Sequence, residues 1–253
     1  MGKKPDPFAS PKRRLARAKQ HIRRLEKRIQ AFFKNKPGRP ISEVDPDGYT
    51  IHGFQFSRKI PDSWADSAVE AIEALRSALD QCGYSAAVLA GVSQPKNAYF
   101  PFADSPGELD INTKGRCKDL PPEIRALFRS FDSHKGGNYT LWALNKLCNA
   151  NKHRLLIPVG INSGGMQIKH LTVKGGFTFS APVYDSAKNQ IVTARVAPGS
   201  DIQYDIQLSF FVAFDEFNGV TGGPAVGILD AGAGEVDRVL RATEAECKRI
   251  GLL

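Results

Sequence analysis

The sequence predicts an α+β protein: a helical bundle followed by an antiparallel β layer and a C-terminal helix. Three observations predict it. Apolar residues recur at helical spacing in several segments between Ser10 and Asn151. The period changes to strict alternation after Arg154, most clearly over 202–214, and helical spacing returns after Gly234. The organisation that follows is a basic tail and helix over 1–39, a helical bundle over 40–153 carrying a long loop at 93–120, and a β-rich region over 154–253 closed by the last helix.

Residues 1–9 read as a flexible tail. Ser10-Pro11 is a cap and first-turn pair, and Pro37-Gly38 stops the helix that starts there near Asn35. Its apolar residues Leu15, Ala18, Ile22, Leu25, Ile29 and Phe32 are spaced three and four apart, which is heptad spacing. Residues 36–47 read as a connector, and Tyr49 to Phe56 as a short strand. Pro61-Asp62 opens a second helix to about Cys82, which Gly83 ends or kinks before Tyr84 to Ala90 continues it. The stretch 93–120, with three prolines and no periodicity, reads as loop. Pro121-Pro122 begins a third helix to about Phe131, and Asn138 caps a fourth to about Asn151.

After Arg154 the pattern is one of strands. Phe177, Phe179, Ala181 and Val183 alternate, as do Ile202, Tyr204, Ile206, Leu208, Phe210, Val212 and Phe214. Such a strand is half-buried, and Ile202, Tyr204, Ile206 and Leu208 are expected to face the core. The Gly-rich stretch 219–234 reads as loop, and a final helix from about Gly234 to Ile250 has Gly251 placed to cap it.

Composition narrows the function classes. Hydrophobic residues make up 42% and charged residues 24%, which excludes wholesale disorder. The longest apolar runs are too short to span a bilayer, and no apolar segment follows the basic N-terminus as in a secretory signal. A cytoplasmic location is therefore expected. The four cysteines lie far apart with no C-x-x-C pair, so buried thiols are expected at Cys82, Cys148 and Cys247. The glycine clusters 219–223 and 232–234 lack the spacing of a phosphate or dinucleotide loop, and the five histidines are scattered. Neither a cofactor nor a metal site is expected.

Charge is the strongest functional signal. Residues 1–39 carry fourteen Lys or Arg against Asp6 and Glu26, a net of +12, within a total of +9. The remainder is therefore slightly acidic, at −3. Arg13, Arg14, Arg17, Arg23, Arg24, Lys27 and Arg28 crowd the first helix, a cation cluster that suits a nucleic-acid backbone. The heptad seam of the same helix suits pairing with itself or with the bundle, so a homodimer built on a coiled-coil handle is the alternative.

The second signal is the segment 135–154. On a helix Lys146, Asn149 and His153 share a face, with Arg154 adjacent. Two cations, an amide and an imidazole near a helix end are groups that bind a phosphate and move a proton. His153 and the asparagines of this segment also suit capping the helix end, which cationic side chains favour, and bonding the 93–120 loop.

Four short stretches carry a resemblance: Leu75-Arg76-Ser77-Ala78-Leu79-Asp80, Phe100-Pro101-Phe102, Lys135-Gly136-Gly137-Asn138 and Asn151-Lys152-His153-Arg154. They resemble a group of uncharacterised bacterial proteins over roughly residues 60–250. More weakly, the chain is similar to the HEPN superfamily of helical bundles, many of them metal-independent ribonucleases. Their signature places four to six residues between Arg and His, and here six residues, 147–152, lie between Lys146 and His153. Lys offers a point charge where Arg offers a bidentate fork. The resemblance implies His153 as general acid or base on an RNA phosphodiester. Lys146 and Arg154 would stabilise phosphoryl charge, and Asn149 would orient the group. RNA is accordingly expected as partner ahead of DNA.

Overall fold

A computed structural model describes the backbone of residues 5–35, 37–153, 159–185, 187–214 and 223–253, and side chains outside 151–171, 173, 177, 179–183 and 201–211. The chain is α+β. In order it forms α1 (Ala9–Lys34), β1 (Gly38–Val44), β2 (Thr50–Phe56), α2 (Ser63–Leu89), α3 (Pro106–Arg116), α4 (Pro122–Ser130) and α5 (Tyr139–His153). Then follow β3 (Val159–Lys174), β4 (Phe177–Asp185), β5 (Gln190–Val196), β6 (Asp201–Phe214) and α6 (Ala225–Arg249).

The core is a helical one. The seam of α1 that reads as heptads in the sequence lies inside it: Leu15, Ala18, Ile22, Leu25 and Phe32 are buried, and α1 packs on α2 and α6. Phe8 is fully buried just before the helix, with its N–H donating to Asp6 Oδ1 at 2.9 Å. Thus α1 starts at Ala9, Ser10 does not cap it, and the flexible tail expected over 1–9 is pinned at Asp6–Phe8. All four cysteines are buried. Burial pushes the Cys82 and Cys117 thiols up to about 12 and Cys247 to about 11.

Two elements fall where the sequence suggests connectors. Residues 38–44 form β1, an edge strand carrying Pro40 that pairs antiparallel with β2. Of its residues only Ile41 is buried, so no alternation marks it. The β1–β2 hairpin joins β5 and β4 in a four-stranded antiparallel sheet ordered β1-β2-β5-β4, while β3 pairs with β6. The β layer therefore draws on a hairpin between α1 and α2 as well as on residues after α5.

The long loop expected over 93–120 contains α3. Ser105 caps it by accepting from Glu108 N–H at 3.3 Å, Pro106 takes the first turn, and Glu108 reaches back to Asp104 N–H at 2.9 Å. The segment ahead of α3 lies on the bundle: Phe100 is fully buried against Phe128, with ring centroids 5.0 Å apart. Gly83 does not end α2, which runs on to Leu89. The last helix begins nine residues ahead of Gly234, at Ala225, and ends as expected at Gly251. There φ is +78°, with Leu252 N–H on Cys247 O and Gly251 N–H on Lys248 O, which is the Schellman pattern.

Other expected elements are present. Pro122 opens α4, and Asn138 caps α5 by accepting from Leu141 N–H at 3.1 Å. The alternating segment 202–214 lies within β6, whose Val212 and Phe214 are buried. The side chains of Ile202, Tyr204, Ile206 and Leu208 lie outside those described, and so does their expected inward orientation.

Candidate nucleic-acid interface

Because its apolar face is buried, α1 can only turn its cations outward. Arg13, Arg14, Arg17, Arg23, Arg24, Lys27 and Arg28 are all exposed. Among the described residues none of the seven is ion-paired with a carboxylate. Arg28 donates to Ser67 Oγ at 3.3 Å, and Arg17 Nε approaches His21 Nε2 at 3.4 Å. Lys12, by contrast, is neutralised by Asp6 and Glu244 at 3.0 and 2.8 Å. From Arg13 to Arg28 the helix rises about 22 Å, the length of about six phosphates along one strand of a duplex.

Beside this face α1 and α2 enclose a groove of about 530 Å³, lined by Arg13, Arg17, His21, Arg24 and Glu70 among others. His21 shares the stripe i, i+4, i+8, i+11 with Arg13, Arg17 and Arg24, and is buried at its base. It was not singled out from the sequence because each histidine stands alone there. The signal that could have found it is this spacing relative to the arginines.

The second cluster behaves differently. Lys146 Nζ sits 2.8 Å from the Asp104 carboxylate, which also accepts from Trp142 Nε1 at 2.8 Å. Lys146 further lies 5.7 Å from the Trp142 ring centroid. It is therefore tied to the segment before α3. Asn149 is exposed. His153 is the last residue of α5, with its side chain outside those described, and Arg154 lies outside the described residues. The structure thus places Lys146, Asn149 and His153 on one helix, and it occupies Lys146 elsewhere.

Arg76, Asp80, Phe102 and Asn138, from three of the motifs, have structural work. Arg76 pairs with Asp80 and stacks on Phe102, 4.4 Å from the ring centroid, joining the first two motifs into one packing unit. Besides capping α5, Asn138 donates to Glu235 Oε2 at 2.6 Å and so fastens α5 to α6.

Among the described residues, no helix is long and apolar enough to cross a membrane. Comparison of the chain with protein-family models, with curated proteins and with solved structures gave no match.

Proposed function

We propose that this is an RNA-directed nucleic-acid-binding protein whose contact surface is the basic face of α1. The observation that carries the reading is the division of α1: its seam is buried in the bundle, which leaves seven unneutralised cations on a rigid, exposed face. Clustered Arg and Lys on one helix face form the electrostatic footprint of phosphate-backbone contact. The preference for RNA rests on the resemblance to HEPN proteins. The coiled-coil alternative loses support, because a second copy could reach the seam only if α1 left its own core. Cleavage at α5 likewise gains no support from Lys146, which would have to leave Asp104 to meet a phosphate.

Deleting α1 is not a fair test, since the deletion removes part of the core. Charge-neutral variants such as Arg23→Gln, Lys27→Gln and Arg28→Gln, alone and combined, keep the seam intact. With about six phosphates neutralised, the logarithmic salt slope on single-stranded RNA should be near −4, and a fourfold rise in salt should weaken binding a few hundredfold. Each neutralised contact should lower the slope by about 0.7. A slope that does not change when the three cations are removed together excludes α1 as the contact.

A further inference from the structure

We infer that the groove between α1 and α2 is a phosphate-ester subsite, in which Arg13, Arg17 and Arg24 hold the phosphoryl oxygens of a nucleotide unit and His21 adds a hydrogen bond from the groove floor. The inference rests on the nucleic-acid reading of α1 and names where on that helix one phosphate is gripped.

Charge selects this groove over its neighbour. Three guanidiniums face one carboxylate, Glu70, so the groove carries +2 before His21 is counted. A second groove of about 400 Å³ further across α1 and α2 shares Arg17, His21 and Glu70, but adds Arg14 and Glu73. Its two cations and two carboxylates cancel, so it offers an anion nothing in sum. The volume of the first, about 530 Å³, suits a small ligand and exceeds what a bare phosphate fills. Planar guanidiniums match phosphoryl oxygens as bidentate forks, which lysines in the same positions would not.

His21 supplies the second, independent observation. The residue is 8% exposed, yet its Nδ1 has no hydrogen-bond partner. That nitrogen lies 2.8 Å from Glu70 Oε2, near enough for an ion pair but out of line for a hydrogen bond. Nε2 has only the long 3.4 Å approach of Arg17. A buried nitrogen without an aligned hydrogen bond is uncommon in native structures, and here it lies at the floor of a cationic groove with only the Glu70 carboxylate beside it. With Nδ1 against Glu70, an anion entering the groove would draw Arg17 toward itself and leave Nε2 as the nitrogen that meets the anion.

The test titrates the full-length protein, at constant ionic strength, with a uridine decamer carrying or lacking a 5′-phosphate and with inorganic phosphate. Binding is followed by fluorescence, and the His21 imidazole by nitrogen-edited NMR. Losing a charge-assisted contact should make Arg24→Gln weaken decamer binding about tenfold or more. Arg23→Gln, which removes equal charge away from the groove, should cost only about two- to threefold. Glu70→Gln should tighten binding severalfold, more than Glu26→Gln on the same side of the charge ledger, and damage to the fold cannot produce tighter binding. The His21 signals should move on saturation. Stronger binding of the phosphorylated decamer assigns the subsite to a terminal phosphate, and equal binding assigns it to an internal phosphodiester; both support it. Decamer binding with a normal salt slope, but with Arg24→Gln equal to Arg23→Gln and Glu70→Gln equal to Glu26→Gln, overturns the subsite and leaves the α1 reading standing. Movement of the His21 signals by inorganic phosphate without decamer binding keeps the subsite and overturns the nucleic-acid reading. No response to any probe overturns both.

Discussion

The Lys146 ammonium lies 2.8 Å from the Asp104 carboxylate, and this pair ties the middle of α5 to the segment that leads into α3. Lys146 first, and the Trp142 indole second, hold the Asp104 carboxyl below the usual carboxylate range, against an opposing effect of burial. A depressed carboxyl contributes stability that is present above its unfolded value and is lost as pH falls through the folded one. Asp104 is more than half exposed, so the pair is screened by water and its worth is that of a surface pair. Asp104→Asn, which keeps an acceptor for Trp142, should therefore lower stability at pH 7 by about 0.5–1 kcal/mol. The gap between variant and wild type should close as pH drops below about 3.9, the ordinary aspartate value. Urea denaturation between pH 7 and 3 measures it, and a gap that widens on acidification contradicts the assignment.

Elements with one-sided burial were legible in the sequence, and the others were not. The α1 seam writes a period into the chain because one face meets the core, and the start of α5 writes its cap at Asn138. Strand β1 writes none, since it buries Ile41 alone. In α3 only Leu109 and Thr113 are buried, so periodicity is silent, although Ser105, Pro106 and Glu108 form a helix start that was there to be read. The first turns of α6 were hidden by glycine: Gly232 lies in a helix and is buried, and a Cβ there would stand 3.5 Å from Leu75. As for the site, the charge face was legible because it depends on composition along one helix. The groove was not, because Glu70 reaches His21 only when α2 folds against α1.

The fate of the α1 seam separates the two uses of that helix. Leu25 is fully buried in the bundle, so Leu25→Ala should cost about 2–5 kcal/mol of stability through lost burial and the cavity left behind. Chemical denaturation followed by circular dichroism reads this directly, and sedimentation of the same sample reads association. A coiled-coil handle predicts the reverse pattern, with association lost and stability kept. A cost under about 1 kcal/mol would mean that the seam is not part of the core.

Gly83 gives the most discriminating test of how the segment before α3 sits on the bundle. The residue lies inside α2, where helix propensity alone favours Ala over Gly by about 1 kcal/mol. Packing opposes it. A Cβ at Gly83 would stand 2.1 Å from the carbonyl oxygen of Ala98 and 3.1 Å from its carbon, and both are backbone atoms that no rotamer change can move aside. The backbone at 98 is in turn fixed on either side. Asp119 accepts from the N–H groups of Lys96 and Asn97, and Tyr99 N–H donates to Arg116 O. Relief therefore requires shifting a stitched segment that carries the buried Phe100. Gly83→Ala should accordingly destabilise by about 1–3 kcal/mol, the cost of overpacking a tight contact. Gly234 is the matching control: it is helical in α6, exposed, and a Cβ there meets nothing within 4 Å. Gly234→Ala should raise stability by about 0.5–1 kcal/mol. Opposite signs for the two substitutions, measured by urea unfolding, are what the close approach of α2 to Ala98 requires. Stabilisation by both would mean that the segment does not lie against α2 in solution.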